Sequence, residues 1–167
     1  MLLALTWLAC AGSPVEGCDA EPLGVTLGTG VTAFEPLAAN DEVIMVFGPQ
    51  GGWHIDVAAR VTGAGPDVEV LPMAERLSDG LALAGDQVSS LVALVDYDAE
   101  NCAGDVVGIR AFLDDADPGP DVPYADFICS LDGAEVELSV DVSDFGTRTG
   151  TSKLVVTTRT DVGQDCP

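Results

Sequence analysis

Ala134-Glu135-Val136-Glu137-Leu138-Ser139-Val140-Asp141-Val142 alternates apolar and polar side chains without a break. Successive side chains of an extended chain point to opposite faces, so Val136, Leu138, Val140 and Val142 share one face and Glu135, Glu137, Ser139 and Asp141 the other. One face belongs to a core and the other to water. The run Lys153 to Thr160 pairs with it across the turn Asp144 to Ser152, where Gly146 and Gly150 ease the reversal, and a hairpin results.

The same period recurs outward from this hairpin. Leu91 to Val95 and Val106 to Leu113 are apolar on both faces and are expected as central strands, joined by the acidic turn Asp96 to Asp105. Further strands are expected at Gly24 to Thr29, Val31 to Leu37, Glu42 to Phe47, Trp53 to Thr62, Val68 to Met73 and Tyr124 to Cys129. Helical signals are confined to Met73 to Leu77 and Leu81 to Ala84, where Pro72, Gly80 and Gly85 prevent extension. No fixed-period repeat and no β-α-β alternation is present. The expected fold is all-β: an antiparallel immunoglobulin-like β-sandwich of about nine or ten short strands.

The chain of 167 residues has room for one such domain, and 47% hydrophobic residues supply its core. Asp and Glu number 28 against 6 Lys and Arg, for a formal net charge of -22. Such a surface repels polyanions and offers no basic cluster, so nucleic acid is excluded as a partner. Solubility and basic partners are favoured instead.

The first charged residue is Glu16, and Leu2, Leu3, Ala4, Leu5, Trp7, Leu8 and Ala9 form an apolar run ending at Cys10. The run is too short to span a bilayer, which takes about 20 residues. It resembles a bacterial lipoprotein signal, in which the cysteine is acylated and becomes the mature N-terminus. Trp7 and Leu8 depart from that signal's commonest residues, and no basic residue precedes the run. The expected organisation is an export signal over 1–10 ending at the lipidation site Cys10, a tether over 11–22, and one sandwich domain over 23–167. A lipid anchor in the bacterial outer membrane, or release into the periplasm, follows, with the membrane and an envelope protein as partners.

Cys18, Cys102, Cys129 and Cys166 remain, an even set suited to disulfides in an oxidising compartment. Four cysteines allow three pairings. Cys18 with Cys166 would tie the ends of the strand region together, and Cys102 with Cys129 would brace the Asp/Pro-rich loop between them. No C-x2-C spacing supports zinc.

The most distinctive segment is Gly48-Pro49-Gln50-Gly51-Gly52-Trp53-His54. By alternation Trp53, Ile55, Val57 and Ala59 face a core, while His54, Asp56, Ala58 and Arg60 form a polar strip. Gln50, His54, Asp56 and Arg60 are therefore the candidate polar site, with His54, the only histidine, either a ligand or proton carrier or a cap on the Gly-rich turn. This segment, with Leu27-Gly28-Thr29-Gly30, Phe34-Glu35-Pro36-Leu37 and Arg60, resembles uncharacterised predicted lipoproteins of myxobacteria and related Gram-negative bacteria. The resemblance covers roughly the first third of the chain and implies export and lipidation but no chemistry.

Asp114-Asp115-Ala116-Asp117-Pro118-Gly119-Pro120-Asp121 concentrates carboxylates as calcium loops do, yet its prolines and the lack of a closing acid fit a solvated loop better. Asp96, Asp98, Glu100 and Asn101 form a weaker second cluster. No nucleophile elbow, phosphate loop or dinucleotide fingerprint is present, and neither a cofactor nor a resident metal is expected. A non-enzymatic envelope-anchored binding or structural module is the expected function. A calcium-dependent adhesion domain and a small secreted hydrolase centred on His54 are the alternatives.

Overall fold

The computed structural model describes residues 18, 22–49, 51–84, 89–113, 116, 119–145 and 148–161. In chain order the elements are β1 (Gly24–Thr29), β2 (Glu35–Pro36), β3 (Glu42–Phe47), β4 (Trp53–Thr62), β5 (Asp67–Arg76), β6 (Leu81–Ala84), β7 (Ser90–Ala93), β8 (Val95–Asp98), β9 (Ala103–Phe112), α1 (Tyr124–Ser130), β10 (Glu135–Ser143) and β11 (Thr149–Thr160). The expected all-β sandwich is the fold, built from one continuous sheet that doubles over on itself.

One layer runs from β6 and β7 through β5 and β10 to β11, and the other from β8 through β9 and β4 to β3. They join where the end of β11 pairs with β3, Thr157 opposite Glu42 through Thr160 opposite Met45, which is parallel in an otherwise antiparallel sheet. β1 lies between the layers' margins. It pairs with β4 from Gly24 opposite Thr62 to Gly28 opposite Ala58, and its Leu27 N–H donates to Ser152 Oγ on β11.

The alternation in β10 does what its sequence demands. Val136, Leu138, Val140 and Val142 are buried, and β10 is hydrogen-bonded on both sides, to β11 from Glu135 opposite Thr157 and to β5 from Val136 opposite Arg76. Facing them across the core are Ile55, Val57, Ala59 and Val61 of β4 and Val106, Ile109 and Ala111 of β9. Trp53 joins this core, as alternation requires.

Four expectations are corrected. Met73 to Leu77 is not helical, because β5 continues to Arg76 on the β10 ladder and long-range pairing outweighs local propensity. Pro72, which has no N–H to donate, falls in the gap where the other edge of β5 passes from β7, at Asp67 to Val70, to β6, at Ala74 to Arg76. Leu81 to Ala84 is likewise β6, held in that ladder.

Tyr124 to Cys129 is a helix rather than a strand. Tyr124, Phe127, Ile128 and Leu131 recur at i, i+3, i+4 and i+7, and the last three are buried against the end of the sandwich. Pro123 supplies a fixed entry and accepts the Phe127 N–H at 3.0 Å.

Leu91 to Val95 is not one central strand. Leu91 is 64% exposed on the edge strand β7. The chain then crosses layers at the buried Leu94, whose N–H donates to Pro66 O at 2.7 Å, and continues as β8 on the edge of β9.

Truncating the two faces of β10 separates core from surface. Leu138→Ala is expected to cost about 2–5 kcal/mol in urea unfolding, whereas Glu137→Ala, one residue away, removes an exposed contact to Lys153 and stays within about 1 kcal/mol.

Candidate functional site

The strip anticipated on the outer face of β4 exists, but it divides in two. At Val57/Ala59 the register of β4 with β9 slips by a bulge, and the loop after β1 crosses the face there. Gly108, at φ +67°, donates its N–H to Gly30 O at 3.1 Å, and a Cβ at this glycine would meet Val31 O at 2.9 Å. Ala58 beneath is completely buried. Where that loop passes, β9 has no room for a β-carbon, and β4 carries only the buried methyl of Ala58.

On one side of the crossing stand His54 and Asp56 of β4 with Arg110 and Phe112 of β9. The ladder places His54 opposite Phe112 and Asp56 opposite Arg110. Asp56 Oδ1 lies 3.4 Å from His54 Nε2 and 3.7 Å from Arg110 Nε, so one carboxylate sits between an imidazole and a guanidinium. The His54 ring packs on Phe112 at 6.0 Å between centroids and abuts Gly48, and only 3% of the residue is exposed. Thr29 Oγ1 donates to the Asp56 carbonyl at 2.9 Å, tying β1 to the same point. This imidazole is a packed link between hairpin turn and sheet, with little surface left for a substrate to reach.

On the other side Arg60 makes a bidentate pair with Asp105, both contacts at 2.8 Å. Its pKa is raised, first by that hydrogen bond and then by the charge of Asp105, against a small opposing effect of desolvation. The guanidinium carbon stands 4.7 Å over the Phe34 ring. Phe34 in turn lies on Gly28, where an added Cβ would fall 2.4 Å from the ring. Gly28, Phe34 and Arg60 thus form a single stack, which gives the first-third sequence motif a packing role. Gln50 lies outside the described residues, and so do Asp114, Asp115, Asp117 and Pro118 of the acidic loop.

A second polar constellation, unread in the sequence, closes the end of the sandwich near Cys18. Cys18 is bonded to Cys102, with Cα atoms 5.5 Å apart, which replaces the expected pairings of Cys18 with Cys166 and Cys102 with Cys129. The reason is the β8–β9 hairpin: its tight turn carries Cys102 to the end of the sheet, where the Cys102 carbonyl accepts the Ala64 N–H at 3.2 Å. Cys129, on α1, is also disulfide-bonded, to a partner outside the described residues. Closing a chain separation of 84 residues stabilises by about 4–5 kcal/mol in the chain-entropy model.

Arg148 locks this end. It pairs with Asp144 through Nε at 2.7 Å and donates to the carbonyls of Cys18 at 3.1 Å and Gly63 at 2.8 Å. The Tyr97 hydroxyl donates to Ala64 O at 3.1 Å, and its pKa is raised, chiefly by burial and then by the charge of Asp98. Beside it, Asp98 accepts the N–H groups of Glu100 and Asn101 at 2.9 and 3.2 Å and the Asn101 side-chain amide. Asn101 first, and then the two backbone donors, hold the Asp98 carboxyl below the usual carboxylate range.

All six Lys and Arg residues of the chain have a carboxylate within 4 Å: Arg60 has Asp105, Arg76 has Asp79, Arg110 has Asp56, Arg148 has Asp144, Lys153 has Glu137 and Arg159 has Glu42. Every cation is therefore engaged within the fold. Among the described residues no group of three or more His, Cys, Asp or Glu side chains is placed to hold a metal ion, and no helix is long and apolar enough to cross a membrane.

No family model and no curated protein matches the chain. Among solved structures, the CooA pilin subunit from enterotoxigenic Escherichia coli aligns with 81% of this chain and 99% of its own, at 12% identity and a TM-score of 0.38. Function has to be argued from the chain itself.

Two outcomes test this geometry. Gly28→Ala is expected to cost about 2–4 kcal/mol in urea unfolding followed by Trp53 fluorescence; Phe34→Ala in the same chain recovers only part of it, since the Glu35 carbonyl also stands 2.5 Å from the added carbon. For Asp98, a carboxyl depressed in the folded state contributes stability above its unfolded pKa and loses it as pH falls through the folded value. The melting-temperature gap between the native protein and Asp98→Ala should be full near pH 7 and close once the medium is more acidic than that depressed pKa.

Proposed function

We propose that the chain is a non-enzymatic module of the bacterial envelope, exported, joined to the membrane by a lipid on Cys10, and acting by presenting its folded surface to an envelope protein. Cys10 itself lies outside the described residues. The observation that carries the reading is the Cys18–Cys102 bond. A structural disulfide belongs to oxidising compartments, and this one fixes the chain to the body only eight residues after Cys10. Fully extended, those eight residues reach about 28 Å. Anchored so, the sandwich stands close to the bilayer with its Cys18 end inward.

The polar site supports binding rather than turnover. General acid–base work needs a titrating group within hydrogen-bond reach of a substrate, and His54 is almost wholly covered by its own fold. The charge distribution favours a basic partner, because the chain's own cations are already paired and its net charge of -22 is left to act outward. Likeness of the Gly28, Phe34 and Arg60 segment to predicted lipoproteins accords with the anchor.

Expression in a Gram-negative host decides the anchor. The mature protein should begin at Cys10, carry the mass of acyl chains, and enter the detergent phase on Triton X-114 partition; Cys10→Ser should move it to the aqueous phase with its melting temperature unchanged. An unacylated native protein in the aqueous phase would refute the anchor.

A further inference from the structure

We infer that the outer face of β5, β10 and β11 is the docking surface for a basic partner protein, one that lays lysine and arginine side chains on Glu69, Glu75, Glu137 and Asp141 and apolar groups on Leu71 and Met73. This docking role rests on the binding function proposed above and deepens it by naming the face; it does not depend on the lipid.

Residues directly opposite one another on neighbouring strands share a face. β10 turns its valines and Leu138 inward, so its other side chains look out, and the two ladders fix what stands beside them. Ser143 lies next to Glu69, Asp141 between Leu71 and Thr151, Ser139 between Met73 and Lys153, and Glu137 between Glu75 and Val155. Leu71 and Met73 are half-buried in the middle of β5, with Glu69 and Glu75 exposed on either side of them. Three strands about 4.8 Å apart and four cross-strand rows about 6.8 Å apart cover about 400 Å². A standard interface takes about 800 Å² from each partner, so contact here is brief and led by charge.

Ser139 stands at the centre of this face. It is 4% exposed, yet among the described residues its hydroxyl has no hydrogen-bond partner. Buried polar side chains are nearly always paired, and leaving one unpaired is costly. The alternation of β10 aims this hydroxyl out of the sandwich, where a group on a docked partner can meet it.

Charge selects this face over the opposite one. On the outer face of β4 and β9, Arg110 and Arg60 answer Asp56 and Asp105. Within the four rows around Ser139 the only cation is Lys153, bonded to Glu137 at 2.8 Å. Its pKa is raised first by that hydrogen bond and the charge of Glu137, and further by the charges of Asp141 and Glu75. One ammonium thus serves three carboxylates from two strands. Thr151 donates to Asp141 at 2.6 Å and Ser143 to Glu69 at 3.4 Å, but these hydroxyls are neutral and leave the charge uncancelled. Among the described residues no three carboxylates are placed to share a metal ion. Charges spread at strand spacing are matched by several separate cations, as a basic protein surface presents them.

The full mature protein, isotope-labelled and titrated at low ionic strength with a hexapeptide of alternating lysine and leucine, gives the test. Amide shifts should gather on Leu71, Met73, Ser139 and Lys153, and a hexapeptide of alternating glutamate and leucine should leave them in place. Glu69→Gln with Glu75→Gln should weaken the lysine peptide about tenfold at an unchanged melting temperature. Glu100→Gln with Asp121→Asn removes the same charge from exposed positions elsewhere and should weaken it less than about twofold. Equal weakening by the two pairs, with shifts scattered over the whole acidic surface, overturns the face while the basic partner of the proposed function stands. Failure of the lysine peptide to bind at all overturns both the face and the binding function beneath it.

Discussion

β4 is hydrogen-bonded along both edges and covered over most of both faces, and the rest of the molecule is arranged to meet that demand. β9 takes one edge from His54 to Thr62, while β3 and then β1 share the other. A strand so enclosed must place every polar group against a partner or pay for its desolvation. Hence the outer face carries paired charges rather than loose ones, and hence the loop after β1 folds across it where Ala58 has nothing to pair. The inner face is simpler: Ile55, Val57, Ala59 and Val61 meet the valines of β10 and need only volume.

The fold was legible wherever a segment is buried on one face. β10 alternates cleanly because one side meets core and the other water, and β4 betrayed its inward residues for the same reason. Legibility failed where tertiary partners decide. β7 looked central from its apolar residues, yet it is an edge strand with Leu91 outward. β5 runs through Pro72 because its two outer partners leave a gap there. The helix α1 was in principle readable, since Tyr124, Phe127, Ile128 and Leu131 keep helical spacing behind Pro123; β-favouring aromatics hid it.

The site was half legible. His54, Asp56 and Arg60 were placed on one face correctly by alternation alone, but alternation has no knowledge of the neighbouring strand. Arg110, Asp105 and Phe34 complete the two clusters from β9 and from the crossing loop, and only the register of β4 with β9 reveals that Arg60 answers Asp105 rather than Asp56. Disulfide pairing failed for a related reason: spacing along the chain says little about which end of a strand a cysteine occupies. Arg148 left no trace in the sequence, because its partners, the Cys18 and Gly63 carbonyls, are backbone groups far away along the chain.

That all six cations are spoken for within the fold has a consequence for crowds of this molecule. Ion pairs held inside one body cannot be lent to the next, so neighbouring copies meet with carboxylate against carboxylate. Held side by side on any shared surface, they hold one another apart by at least a screening length, about 8 Å at physiological ionic strength. Such a layer spaces itself evenly, swells when salt is withdrawn and contracts when it is added.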